Sequence, residues 1–304
     1  MNNKTFFSQS RNLFQRWKRY KERINPVPPG WLISSDYCLD DKNKNDCITF
    51  TISPVPELGK FFAFLNKKLP KDIKNMSKVP DEVIKFIRDN KIFFTISVII
   101  KNKEKMVDID DLRIDVENLK TSPHLRPQEL KELNEFSNYL KKKKINQNVL
   151  RNMKLVIFLF TRLVEFLTIK HYTEAIYWAP DRDAVMDIAD GIILHLIKTE
   201  CTNLLHGRRK IPELHIGIED KKKNLFRFEA LIRYPDIIAG VISSVDFDTY
   251  AAQKEKHFDL FVNAIGGNPR IVIMEWSPNE FKTFPLHKRI KTNRIIRASE
   301  MKNV

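Results

Sequence analysis

Three groups of aspartates stand where the surrounding pattern suggests metal chemistry. Asp36 ends the apolar run Trp-Leu-Ile-Ser-Ser-Asp at 31–36. Asp181 and Asp183 follow Ala-Ile-Tyr-Trp-Ala-Pro at 175–180, a buried-strand pattern rich in aromatic side chains and stopped by a proline. Asp236 lies within Leu-Ile-Arg-Tyr-Pro-Asp-Ile-Ile-Ala-Gly at 231–240. Acids at the carboxyl end of a central strand are where open α/β sheets place their ligands. Carboxylates gathered there repel one another unless a cation neutralises them, and hard oxygen ligands around a partly hydrated ion suit Mg²⁺ or Mn²⁺. Two such ions activate water and stabilise a leaving oxygen in phosphodiester cleavage. The candidate catalytic set is therefore Asp36, Asp181 and Asp236, with Asp36, Asp181, Asp183 and Asp236 as candidate metal ligands. Of Asp181 and Asp183, one should face the metal while the other caps the following helix; we favour Asp181 for the metal.

Each acid also has a structural alternative. Asp36 could end a turn, and Asp181, Asp183 or Asp236 could be helix N-caps. Asp187 and Asp190 make an acidic face with Asp183 that is better explained as solvated. Glu165, in a long apolar helix, is either a fourth carboxylate or an exposed residue. Glu219 and Asp220 fit a polar loop. Other chemistries are not indicated: seven histidines include no His-Glu-x-x-His, and no Walker loop, Gly-x-Gly-x-x-Gly or serine elbow is present. Three cysteines without a Cys-x-x-Cys spacing argue against a disulfide framework or zinc site and point to a reducing cytosol.

The positioning elements follow from periodicity. Residues 4–24 carry Phe6, Leu13, Trp17, Tyr20 and Ile24 at helical spacing, interleaved with Arg11, Arg16, Lys18, Arg19 and Arg23. This basic amphipathic helix is open to four readings: a nucleic-acid arm, a membrane-surface anchor, a docking helix for a partner protein, or a stripe packed back on the body. Prolines at 26, 28 and 29 then form a linker, so residues 1–30 read as a separate leading segment. Strands are predicted at 31–36, 47–55 and 91–101, with a helical insertion at about 56–90. The polar, acidic stretch 102–126 reads as a loop. Helices follow at 127–144 and 146–171, a strand at 173–183, a helix over 183–205, a strand at 213–218 and helices from 224 to 247. Residues 31–247 form the main domain. Residues 248–304 add a helix, a strand at 271–276 and a basic tail packed on the same domain.

Three antiparallel strands followed by alternating helices and strands is the order of an α/β, RNase H-like mixed sheet. In that architecture the first strand lies beside the fourth, which would make Asp36 and Asp181 neighbours, and the last helix crosses the same edge with Asp236. The chain also resembles the bacterial domain-of-unknown-function family numbered 3800. Arg233-Tyr234-Pro235-Asp236-Ile237-Ile238-Ala239-Gly240 is similar to that family's closing helix, and Asp181 or Asp183 to its middle acid. Ser35-Asp36-Tyr37-Cys38 matches its opening motif at the acid, without the Glu-Ser-Gly that follows there. The resemblance spans about residues 31–247 and implies an RNase H-like nuclease fold, with a defence or toxin role suggested by the contexts of such proteins. Pro235 is compatible with a helix that starts or kinks there.

A net charge of +15 favours polyanionic partners, although a Lys/Asn-rich genome would raise lysine on any surface. Arg182, Arg208, Arg209, Lys221, Lys222 and Lys223 are the candidate phosphate contacts. No apolar run reaches the roughly 20 residues of a membrane span, so a cytoplasmic protein is expected. Two functions stay open on the sequence. One is a Mg²⁺-dependent nuclease acting on DNA or RNA. The other is an inactive member of the same fold that binds nucleic acid or works as a scaffold through a partner at residues 4–24.

Overall fold

Ile48, Phe50 and Ile52 alternate with threonines, and this period of two becomes the second of seven strands in a single mixed sheet. The computed structural model describes residues 7, 10–24, 26–71, 73, 75–121, 125, 127–141, 146–168, 173–181, 185–186, 192–205, 212–217, 228–278 and 280–284. Strand β1 (Gly30–Cys38) pairs antiparallel with β2 (Asp46–Pro54), which pairs antiparallel with β3 (Phe94–Ile100). On the other side of β1 lie β4 (Ala175–Pro180) and then β5 (Glu213–Ile216), both parallel to it. Beyond β3 come β6 (Ile271–Ser277), parallel, and β7 (Glu280–Thr283), antiparallel. The strand order is β5-β4-β1-β2-β3-β6-β7, so the first strand does lie beside the fourth.

Helices cover both faces. One face, built on Trp31, Ile33, Phe50 and Trp178, packs beneath α1 (Arg11–Arg23), α4 (Ile109–Lys120), α5 (Pro127–Leu140), α6 (Gln147–Thr168) and α7 (Ile192–Leu205). The other, carrying Leu32, Cys47, Ala179 and Ile273, packs beneath α2 (Leu58–Lys68), α3 (Asp81–Asp89), α8 (Glu229–Ser243) and α9 (Glu255–Leu260), which runs on into a π-helical turn at Phe261–Ile265. Among the described residues no helix is long and apolar enough to cross a membrane.

The structure settles readings left open and changes one expectation. The apolar stripe of α1 is core: Leu13, Trp17 and Tyr20 are buried. The Trp17 ring lies 5.0, 5.1 and 5.8 Å from those of Trp31, Phe94 and Phe166. That removes the membrane-anchor reading and any docking through the stripe, and joins α1 to the same core as β1. Residues 109–120, expected as loop, form α4. Asp108 caps it by accepting from the Asp110 N–H at 2.9 Å, and Leu112, Val116 and Leu119 supply its buried stripe. The hydroxyls of β2 are buried as well: Thr49, Thr51 and Ser53 lie inside, with Thr49 bonded to Ser97 at 2.9 Å and Thr51 to Thr95 at 3.2 Å. Of the two places open to Pro235, the start of a helix or its interior, it takes the interior of α8, where it removes the bond to the Leu231 carbonyl.

Candidate active site

The parallel register of β1 and β4 sets the geometry of the acids. Ser35 partners Pro180, and the Asp181 N–H donates to the Ser35 carbonyl at 2.8 Å. One residue further, Asp36 and Asp181 stand side by side at the carboxyl ends of adjacent parallel strands. The period of two puts both on the face shared by Leu32 and Ala179, the face covered by α8. Asp36 is 7% exposed and Asp181 is half-buried. Asp36 sits opposite Thr49 across the antiparallel pair, next to Cys38 and Cys47, which face each other in the following row. Burial pushes both thiols above their ordinary range, and the nearby Asp36 charge acts in the same direction. Both cysteines are free.

The other face of β1 fixes this strand end. Trp178 donates its indole N–H to the Ser35 hydroxyl at 2.9 Å, and that hydroxyl is 2.8 Å from the Tyr37 hydroxyl. The Trp178 ring stacks on Phe160 of α6 at 4.0 Å. The carboxyl ends of β1 and β4 are thus tied by the backbone bond at Asp181 and by a side-chain bond from β4 to β1. Such support gives a carboxylate pair a defined separation.

Asp236 is placed differently. Leu231, Tyr234, Ile238, Val241 and Ile242 form the buried stripe of α8. Asp236 lies two residues from both Tyr234 and Ile238, about 200° around the axis. It is half-buried on the side of the helix turned from the sheet, as is Gly240. Glu165 is neither exposed nor beside the pair. It is buried in α6 on the opposite face of the sheet and ion-paired with Arg162 at 3.3 Å.

Among the described residues no group of three or more His, Cys, Asp or Glu side chains is placed to hold a metal ion. Of the four aspartates expected to hold a metal, the register brings Asp36 and Asp181 together; a Mg²⁺ ion takes one or two carboxylates and keeps several waters. Asp183, Asp187, Asp190, Glu219 and Asp220 lie outside the described residues, as do Arg182, Arg208, Arg209, Lys221, Lys222 and Lys223. Sequence reasoning missed the supporting residues Ser35, Thr49 and Trp178. Their signal was the unbroken burial of a strand that carries three polar residues in a row, Ser34 to Asp36.

Compared with protein-family models, with curated proteins and with solved structures, the chain matches none of them.

Proposed function

We propose that this protein is an RNase H-like, Mg²⁺- or Mn²⁺-dependent nuclease. The observation that carries the reading is the placement of Asp36 beside Asp181 on adjacent parallel strands. The run β5-β4-β1-β2-β3, with β2 alone antiparallel to its neighbours, supports it because this is the strand arrangement of an RNase H-like sheet; β6 and β7 extend it. The similarity of residues 233–240 and Asp181 to the bacterial family numbered 3800 agrees in direction, and with it a cytoplasmic defence or toxin role.

In this reading Asp36 and Asp181 hold the ion, and Asp183 is the next ligand candidate. Bound there, the ion would polarise a phosphoryl oxygen and activate the attacking water. The chain's own contribution is to set two carboxylates at fixed spacing and to keep Asp36 out of bulk solvent, where its charge acts over a lower dielectric. Arg182, Arg208, Arg209 and Lys221–Lys223 are the candidate contacts to the phosphodiester backbone.

One observation favours a second reading, a nucleic-acid-binding or scaffold protein without cleavage: the helical period puts Asp236 about 160°, by the shorter arc, around α8 from Tyr234 and Ile238, which pack in the core. Cleavage of single- and double-stranded DNA and RNA, with Mg²⁺ and with chelator, separates the two. The nuclease reading expects Asp36→Asn and Asp181→Asn each to lose on the order of a hundredfold in rate, with Asp236→Asn near wild type. Wild-type binding without cleavage of any substrate would establish the second reading, and neither binding nor cleavage would sink both.

A further inference from the structure

At the end of the sheet remote from the acids, α1 and the start of β6 enclose a cleft of about 160 Å³. It is lined by Asn12, Gln15, Arg16, Arg19, Arg23 and Arg270, together with Tyr20 and Pro269, and among the described residues no acid lines it. Arg16 is only 7% exposed; its Nη1 donates to the Ile271 carbonyl at 3.0 Å. Arg270 donates through Nη2 to the Arg88 carbonyl at 2.8 Å. Among the described residues, Arg16 Nη2 and Arg270 Nε are buried without a hydrogen-bond partner. Leaving guanidinium donors desolvated and unpaired is costly, more so where like charges crowd them. That crowding is present: burial and then Arg19 pull the Arg16 pKa down, and Arg23 opposes the Arg270 charge. Asp89, the acid acting on Arg270, is itself paired with Arg88 at 2.9 Å.

We infer that this cleft is a binding site for phosphate groups, with the buried Arg16 and the half-buried Arg270 as its inner pair and Arg19 and Arg23 as its outer clamp. The guanidinium fork matches phosphate oxygens in pairs, and an oxyanion relieves the repulsion among four like charges. The volume is below the roughly 300–1,000 Å³ of pockets that enclose a drug-sized ligand. It suits the phosphates of a larger molecule or a small oligophosphate, not a whole nucleotide. The site stands apart from the Asp36–Asp181 pair and does not depend on it.

The test is titration of the full chain, in chelator, with inorganic tripolyphosphate and separately with a single-stranded oligonucleotide. The outer pair Arg19→Gln/Arg23→Gln changes exposed side chains and should leave the fold intact. Its affinity should fall roughly tenfold or more, whereas Lys18→Gln and Asp36→Asn should bind tripolyphosphate as wild type does. If the ligand is a nucleic-acid backbone, oligonucleotide affinity falls too, and the slope of log affinity against log salt shrinks by about 1.4 for two lost contacts. If only tripolyphosphate binding falls, the ligand is a small oligophosphate. Failure of the wild type to bind either probe, or equal binding by the double variant, would overturn the site.

Discussion

Asp36 and Asp181 are 145 positions apart in the sequence and become neighbours through one register. Their adjacency was legible because the element order already required the first strand to lie beside the fourth. The direction of Asp236 was not legible. Residues 230–235 and 237–239 are all buried, so the apolar pattern around it marks no single inner face. Nor was the pairing of Arg16 with Arg270, since nothing local to either arginine announces the other. At the same scale, His257 gives a pH prediction. Burial first, and then Lys256, Lys254 and Lys44, lower its pKa to about 4, while its Nδ1 lies 2.8 Å from the Ser244 hydroxyl. The unfolded chain therefore takes up a proton near pH 6.5 that the folded chain refuses until about pH 4. His257 costs nothing above pH 6.5, and its destabilising effect grows as pH falls towards 4. His257→Gln should flatten that part of the stability-against-pH curve, measured by urea unfolding. An unchanged acid limb would show that another group controls it.

Among elements, α1 had the most readings open, and its burial selects the one in which the stripe packs back on the body. Its basic residues and the proline-rich stretch after it read as an appendage, yet its stripe is buried. Ser10 caps it by accepting from the Leu13 N–H at 3.1 Å, and the Ser10 hydroxyl lies 2.7 Å from that of Thr283 in β7. The same helix thus gives Trp17 to the core and Arg16, Arg19 and Arg23 to the cleft. Trp17→Ala should lower unfolding free energy by about 3–5 kcal/mol, the range for deleting a buried tryptophan. A loss below about 1 kcal/mol in denaturant titration, the size of a surface change, would mean that α1 is dispensable to the core. Helix α4 teaches a related lesson. Its stripe at 112, 116 and 119 was present in the sequence, but the acids between those positions hid it, because solvated acids on an outer face do not oppose a helix.

For the whole molecule, two kinds of charge lie at opposite ends of one sheet. Carboxylates stand at the carboxyl ends of β1 and β4, and arginines gather at the amino end of β6. The seven-stranded frame between them is supported on both faces, with β1, β2 and β3 at its centre. Native-state hydrogen exchange should find the slowest amides in those three strands and the fastest strand amides in β5 and β7. Equal protection at centre and edge would contradict the layered core described above.

The strands at the two borders carry a consequence of their own. Each is four residues long. In β5, Glu213 and His215 point to solvent, and β7 holds an exposed Glu280–Lys282 pair at 2.8 Å. A long apolar strand at a sheet's border offers unpaired backbone groups as a template for another chain. Short, charged borders limit that recruitment, and the apolar centre of the sheet is kept away from fibril-like growth.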